Sequence, residues 1–155
     1  MMVEFLLRPM RREDAVLVAA WHYDGPYSFY DMDQDPEDLA ELLDGRSWER
    51  KYRSVVDETG ALVGFFCFDP DGSTVEIGLG LRPDLTGQGL GRPFLEAGLA
   101  SARAEHRPDR FRLSVAAFNQ RAVRLYEQAG FSAVREYTQT TNGGEYPFVM
   151  MEKPV

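Results

Sequence analysis

The run Val75-Glu76-Ile77-Gly78-Leu79-Gly80-Leu81 is apolar and strand-like, stops at Pro83 and gives way to a glycine turn, Thr86-Gly87-Gln88-Gly89-Leu90-Gly91. A helix-like sequence follows. A turn of this kind aims several backbone N–H groups at one point, at the positive end of a helix dipole. That is an anion site, and a phosphate is its usual occupant. Pro93 has no N–H to give and is tolerated in a first helical turn, so the donors are the amides from Gly87 to Arg92. Two other phosphate loops are excluded. No Gly-x-x-x-x-Gly-Lys string followed by Ser or Thr occurs, and Gly-x-Gly-x-x-Gly counted from Gly87 meets Arg92 where its third glycine belongs.

A second constellation lies downstream in Asn119-Gln120-Arg121-Ala122-Val123-Arg124-Leu125-Tyr126, followed by Gly130-Phe131. Asn119 suits a helix N-cap, and Tyr126 returns to the same face two turns later. Ala122 between them leaves that face open, so the helix can line a groove. The plainer alternative is that Asn119 only caps and Tyr126 only packs. Glu76 is the third candidate: an acid between Val75 and Ile77 is either a solvent-facing charge on an alternating strand or a proton acceptor turned into a groove.

The elements that must hold these residues read as a mixed α/β chain. Strands are expected at Phe5 to Pro9, Lys51 to Asp57, Leu62 to Phe68, Thr74 to Leu81, Phe111 to Ala116, Ala133 to Gln139 and Glu145 to Glu152. Helices are expected at Arg12 to Trp21, Pro36 to Asp44, Leu90 to Ala104 and Gln120 to Ala129, the last stopped by Gly130. Asp69-Pro70-Asp71-Gly72 reads as a turn and Asn142-Gly143 as a tight hairpin. Tyr27 to Asp33 reads as aromatic and irregular.

Composition bounds the rest. The 155 residues, 44% hydrophobic and 27% charged, predict one domain over residues 1–155 with a real core. The opening Met1-Met2-Val3-Glu4-Phe5-Leu6-Leu7-Arg8 is too short in apolar residues for a leader, and no run reaches a membrane span. The only cysteine, Cys67, lies in an apolar strand and reads as core, which fits a reducing cytoplasm. His22 and His106 lie far apart with no ligand-type cluster evident beside either, so no metal is expected. Eight of the 25 acids fall between Asp24 and Asp44, where no Lys or Arg occurs, and they account for the whole net charge of −8. Such a chain is not expected to bind nucleic acid. Arg46, Arg50, Lys51 and Arg53 read as a solvated basic face.

The glycine turn and the downstream Asn-x-x-Ala-x-x-Leu-Tyr-x-x-x-Gly-Phe, in this order and spacing, resemble the GNAT superfamily of acyl-CoA-dependent N-acetyltransferases. The order of elements agrees over almost the whole chain. Thr86 departs from the family, which usually has Gln or Arg there. The resemblance implies a GNAT fold, a single mixed central sheet of about seven strands flanked by about four helices. It implies that the amides of Gly87, Gln88, Gly89, Gly91 and Arg92 hold the coenzyme A pyrophosphate. The backbone of Leu79 and Leu81 would pair with the pantetheine arm, the N–H of Leu81 would polarise the thioester carbonyl, and Asn119 would contact the arm. Tyr126 would protonate the departing thiolate. Acetyl-CoA is then the cosubstrate, no metal is used, and a homodimer is a common state in the family.

An amine attacks a thioester only when neutral, so a proton acceptor is required, and Glu76 is the candidate. The acceptor side follows the first helix, where Tyr27, Tyr30 and Asp31 stand among Asp24 and Asp33. Aromatics among acids suit a cationic amine. A small-molecule amine or a protein N-terminus both qualify. A non-catalytic acyl-CoA-binding module of the same fold is the alternative; it would need neither Glu76 nor Tyr126, and both are present.

Overall fold

A computed structural model of the chain describes residues 4–46 and 48–155; residues 1–3, part of the leader reading, lie outside them. Seven strands form one sheet in the order β1-β2-β3-β4-β5-β7-β6. They are β1 Leu6–Pro9, β2 Tyr52–Val56, β3 Leu62–Asp71, β4 Thr74–Leu81, β5 Arg110–Ala116, β6 Ser132–Thr141 and β7 Gly144–Pro154. The helices are α1 Arg12–Ala19, α2 Pro36–Asp44, α3 Gly91–His106 and α4 Gln120–Gln128. This is the expected single mixed sheet with flanking helices. Among the described residues, no helix is long and apolar enough to cross a membrane.

Strand alternation sorts the sheet into two faces. Phe66 and Phe68 of β3, Val75 and Ile77 of β4, and Phe111, Leu113 and Val115 of β5 pack with Phe94, Leu95 and Leu99 of α3 and Tyr126 of α4. Tyr52 and Phe65 point the other way, onto Ala15 and Val18 of α1 and Leu42 of α2. Glu76, Gly78 and Gly80 therefore share the α1–α2 face.

Several sequence expectations are corrected locally. The turn read at Asp69–Gly72 shrinks to Gly72-Ser73, because β3 runs to Asp71 and β4 starts at Thr74; Gly72 has φ +62°, as a two-residue hairpin requires. Tyr27 to Asp33 is ordered as two 3-10 turns, Gly25–Tyr30 and Met32–Gln34. The basic cluster is not simply a solvated face. Lys51 lies 3.6 Å from Glu41 and 3.5 Å from Asp69, and Arg53 lies 2.9 Å from Glu105, with both side chains largely covered.

The feature that makes the site is a defect in the sheet. Every neighbouring pair is antiparallel except β4 and β5, which run parallel and pair only over Thr74–Glu76 and Arg110–Arg112. Beyond Glu76 the two strands part. The Arg82 N–H donates to Val63 on β3 at 2.8 Å, so by alternation Leu81 and Leu79 turn their backbone groups the other way, into the gap.

One ion pair, buried at Asp14 and partly exposed at Arg8, fastens the amino-terminal layer. Asp14 in the first turn of α1 accepts from Arg8 of β1, from Ser54 Oγ of β2 at 2.7 Å and from the Arg11 N–H at 3.0 Å. Burial works to raise the Asp14 pKa, but these bonds outweigh it and hold the carboxyl below its usual range. A depressed folded pKa means stability that is present above the unfolded value and lost as pH falls through the folded one. Asp14→Asn is expected to cost about 3 kcal/mol at neutral pH in urea unfolding, and to make the acid-side loss of stability shallower than in the wild type.

Candidate active site

A cleft of about 900 Å³ opens where β4 and β5 part. Its walls bring together residues from the 3-10 turn, β4, the glycine loop and α4. Among them are Tyr27, Tyr30, Asp31, Glu76, Leu79, Leu81, Gly87, Gly89, Gly91, Arg92, Asn119 and Tyr126. Of the candidate residues, Gln88 alone is outside this lining; its side chain donates to the Asp84 carbonyl at 2.7 Å.

One end of the cleft is built for an anion. Gly87 and Gly89 adopt φ +72° and +76°, a left-handed conformation that glycine takes without a Cβ penalty. The loop feeds α3, which begins with no side-chain cap and no acid in its first turn. The first N–H groups of the helix are thus available to a ligand. Thr86, where the family usually has Gln or Arg, turns its hydroxyl onto the Pro83 carbonyl at 2.8 Å, closing the 3-10 turn Pro83–Leu85. Arg121 supplies a side-chain cation the sequence did not single out. Its guanidinium sits 4.3 Å from the centre of the Tyr27 ring and reaches within 3.9 Å of where a Cβ on Gly87 would stand. Arg121→Ala is expected to weaken binding of a phosphate-bearing ligand at this end by roughly tenfold or more; titration of the variant with acetyl-CoA checks it.

The other end is acidic. Asp69 of β3 stands directly opposite Glu76 of β4 in the antiparallel ladder, and Asp38 and Glu41 of α2 line the same wall. Lys51 is the cation at this end, held between Glu41 and Asp69. Burial, reinforced by Asp35, Glu41 and Glu37, holds the Asp38 carboxyl above its usual range. Cys67 packs against the α1–α2 core cluster with one side on this wall, and burial pushes its thiol up to about 11, so it carries little thiolate.

Between the ends stand two tyrosines and an asparagine. Tyr126 is 9% exposed, and burial, with Tyr30 nearby, raises its pKa. Its hydroxyl therefore stays protonated at neutral pH. Asn119 does cap α4, accepting from the Ala122 N–H at 3.1 Å, and its amide nitrogen donates to the Tyr30 hydroxyl at 3.1 Å. That leaves one amide hydrogen for a ligand. At the far end of the β4 edge, the Tyr23 hydroxyl donates to the Leu81 carbonyl at 2.8 Å, so Leu81 offers the gap chiefly its N–H.

Asp31 lines the cleft and is also held by bonds within the protein. It is buried, with one carboxylate oxygen taken by the Tyr23 N–H at 2.8 Å and the other 3.0 Å from His22 Nδ1. It anchors the 3-10 turn. His22 also lies 4.0 Å from Asp33, so the chain does bring ligand-type groups beside a histidine, contrary to the sequence expectation; the fold closes a nine-residue separation that spacing alone does not bridge. Asp24 lines a smaller cavity of about 280 Å³ with Tyr27, Thr86 and Arg121.

The structure thus joins a seven-stranded mixed sheet, split beside a glycine loop, with Glu76 and Tyr126 in the lining of the split. The family model for the acetyltransferase (GNAT) domain matches residues 4–132, and the chain belongs to that family of acetyltransferases. It is 40% identical over 109 residues to a mycothiol acetyltransferase from Propionibacterium freudenreichii subsp. shermanii, a match covering 66% of this chain and 31% of that protein. This chain thus matches only about a third of that relative. Its fold is similar to that of spermidine N-acetyltransferase from Vibrio cholerae in complex with CoA and spermine, with a TM-score of 0.77 at 20% identity, covering 97% of this chain and 95% of that one. A chimera of that enzyme with hSSAT superposes with a TM-score of 0.78 at 21% identity, over the same shares of the two chains.

Proposed function

We propose that the chain transfers an acetyl group from acetyl-CoA to the primary amine of a cationic acceptor, by direct attack with both substrates bound. The observation that carries this is the division of one cleft into a basic end, with the glycine loop, Arg92 and Arg121, and an acidic end, with Asp38, Glu41, Asp69 and Glu76. An acyl donor bearing phosphates fits the first end. The amides of Gly87, Gln88, Gly89, Gly91 and Arg92 would hold its pyrophosphate, and the freed β4 edge at Leu79 and Leu81 would take its amide-bearing arm as a strand takes a neighbour. The N–H of Leu81 would then stand at the thioester carbonyl, where negative charge develops.

The acidic end favours a positively charged partner. Two carboxylates directly opposite in a ladder repel each other, and Lys51 offsets only Asp69. Positive charge on the acceptor at this end relieves that repulsion. Glu76 takes the proton that the amine must lose, the nitrogen attacks, and Tyr126 protonates the sulfur as the thioester bond breaks. Tyr27 and Tyr30 frame the entrance with ring faces. Both a small polyamine-like molecule and a protein N-terminus meet these requirements. Because Asp69 is half exposed, its contribution is modest: Asp69→Asn is expected to raise the acceptor KM by about three- to tenfold, leaving the KM for acetyl-CoA unchanged. An unchanged acceptor KM would remove the charge argument.

Isothermal titration with acetyl-CoA tests the donor half of this proposal. Saturable one-to-one binding that weakens with added salt is expected, and no binding at all would overturn the assignment of Gly87 to Arg92.

A further inference from the structure

Glu76 cannot reach the reaction centre alone. Leu79 and Leu81 lie three and five residues further along β4, which is roughly 10–16 Å of strand, and a glutamate side chain spans only part of that distance. Something must carry the proton across the remainder. Ser114 on β5 is positioned for it. The parallel register pairs Glu76 with Arg112 and ends there; Ser114 lies two residues further along β5, on the strand that bounds the gap where β4 and β5 part. Phe111, Leu113 and Val115 point into the α3–α4 core, so Ser114 faces the opposite side, the side Glu76 occupies. Ser114 lines the cleft. Its Oγ is buried yet has no hydrogen-bond partner among the described residues. A buried hydroxyl without a partner is uncommon and calls for a reason.

We propose that Ser114 is a positioning residue whose Oγ holds a water between the acceptor amine and Glu76. This rests on the transferase reading above. The bound ammonium gives one proton to the water while the water gives a proton to the Glu76 carboxylate. The neutral nitrogen then attacks the thioester carbon, forming the C–N bond. The C–S bond breaks, the leaving sulfur takes a proton from Tyr126, and the second proton shed by nitrogen restores Tyr126. Two protons leave nitrogen, one ending on sulfur and one on Glu76, which passes it to solvent after product departs. Neither oxidant nor metal is needed.

The test compares wild type, S114A, S114T, E76Q and the S114A/E76Q double variant by amine-dependent thiol release, acetyl-CoA titration and thermal unfolding. S114A is expected to lower kcat by roughly tenfold, the factor one lost hydrogen bond supplies, and to leave the acetyl-CoA Kd within about twofold. Its melting temperature should not fall, because no hydrogen bond to another described residue is lost. S114T, which keeps the hydroxyl, should recover most of the activity. On the E76Q background S114A should cost less than about twofold, since both residues serve one proton path. Wild-type kcat in S114A, or the full loss repeated on E76Q, would overturn the proposal. A lower melting temperature with weaker acetyl-CoA binding would make Ser114 structural and also overturn it. A wild-type chain that binds acetyl-CoA but releases thiol with no amine would defeat the transferase reading first, and this proposal with it.

Discussion

Tyr126→Phe is expected to lower kcat by about 10²–10⁴-fold while leaving acetyl-CoA affinity unchanged, the range that a positioned general acid supplies. The hydroxyl sits on α4 at the wall of the cleft, and burial and Tyr30 raise its pKa. A tyrosine so placed does not ionise at neutral pH, so the proton is there to give when the thiolate departs. Phenylalanine keeps the ring and its edge-on contact with Phe131, 6.1 Å between centres, so the fold is expected to survive the change. Steady-state thiol release at saturating amine measures the effect. Turnover at the wild-type rate would mean that Tyr126 only packs, the plainer reading of its place in the helix pattern.

Glu76→Gln is the second large effect, again about 10²–10⁴-fold in kcat. Glu76 is exposed on the α1–α2 face, and glutamine has nearly its volume, so stability should hardly change. What the variant loses is the ability to accept a proton. The loss should therefore depend on the acceptor. An amine of low basicity, already neutral at the assay pH, should suffer less than a strongly basic one, and raising the pH should narrow the gap. Equal losses for both amines at every pH would show that Glu76 binds the acceptor electrostatically and does not take its proton.

Much of this was legible in the sequence, for identifiable reasons. Local chemistry sets β4, α2 and the Asn142-Gly143 hairpin: an apolar run bounded by proline, a proline and an acid cap at a helix start, and two residues at φ +50° and +75°. The glycine loop was visible because only glycine takes its backbone angles freely. What the sequence did not reveal depends on which strands become neighbours. The parting of β4 from β5, the facing of Asp69 and Glu76, and the place of Ser114 on the same face of the sheet are consequences of strand pairing, and nothing in either strand alone encodes its partner. Arg121 was hidden for a related reason, since its position beside Gly87 exists only once α4 packs against the loop. The charge of Asp31 was legible, but its bonds to Tyr23 and His22, made while it still lines the cleft, appear only in the fold.

The central claim is that one cleft brings an acyl-CoA and a cationic amine together for direct transfer. Thiol release from acetyl-CoA, followed against the concentration of a diamine and matched to acetylated amine by mass, tests it most directly. Saturable release, with one acetylated amine for each thiol formed, is the predicted result. Release no faster than amine-free hydrolysis for every cationic amine, from a chain that binds acetyl-CoA, would contradict it and favour a non-catalytic acyl-CoA-binding role.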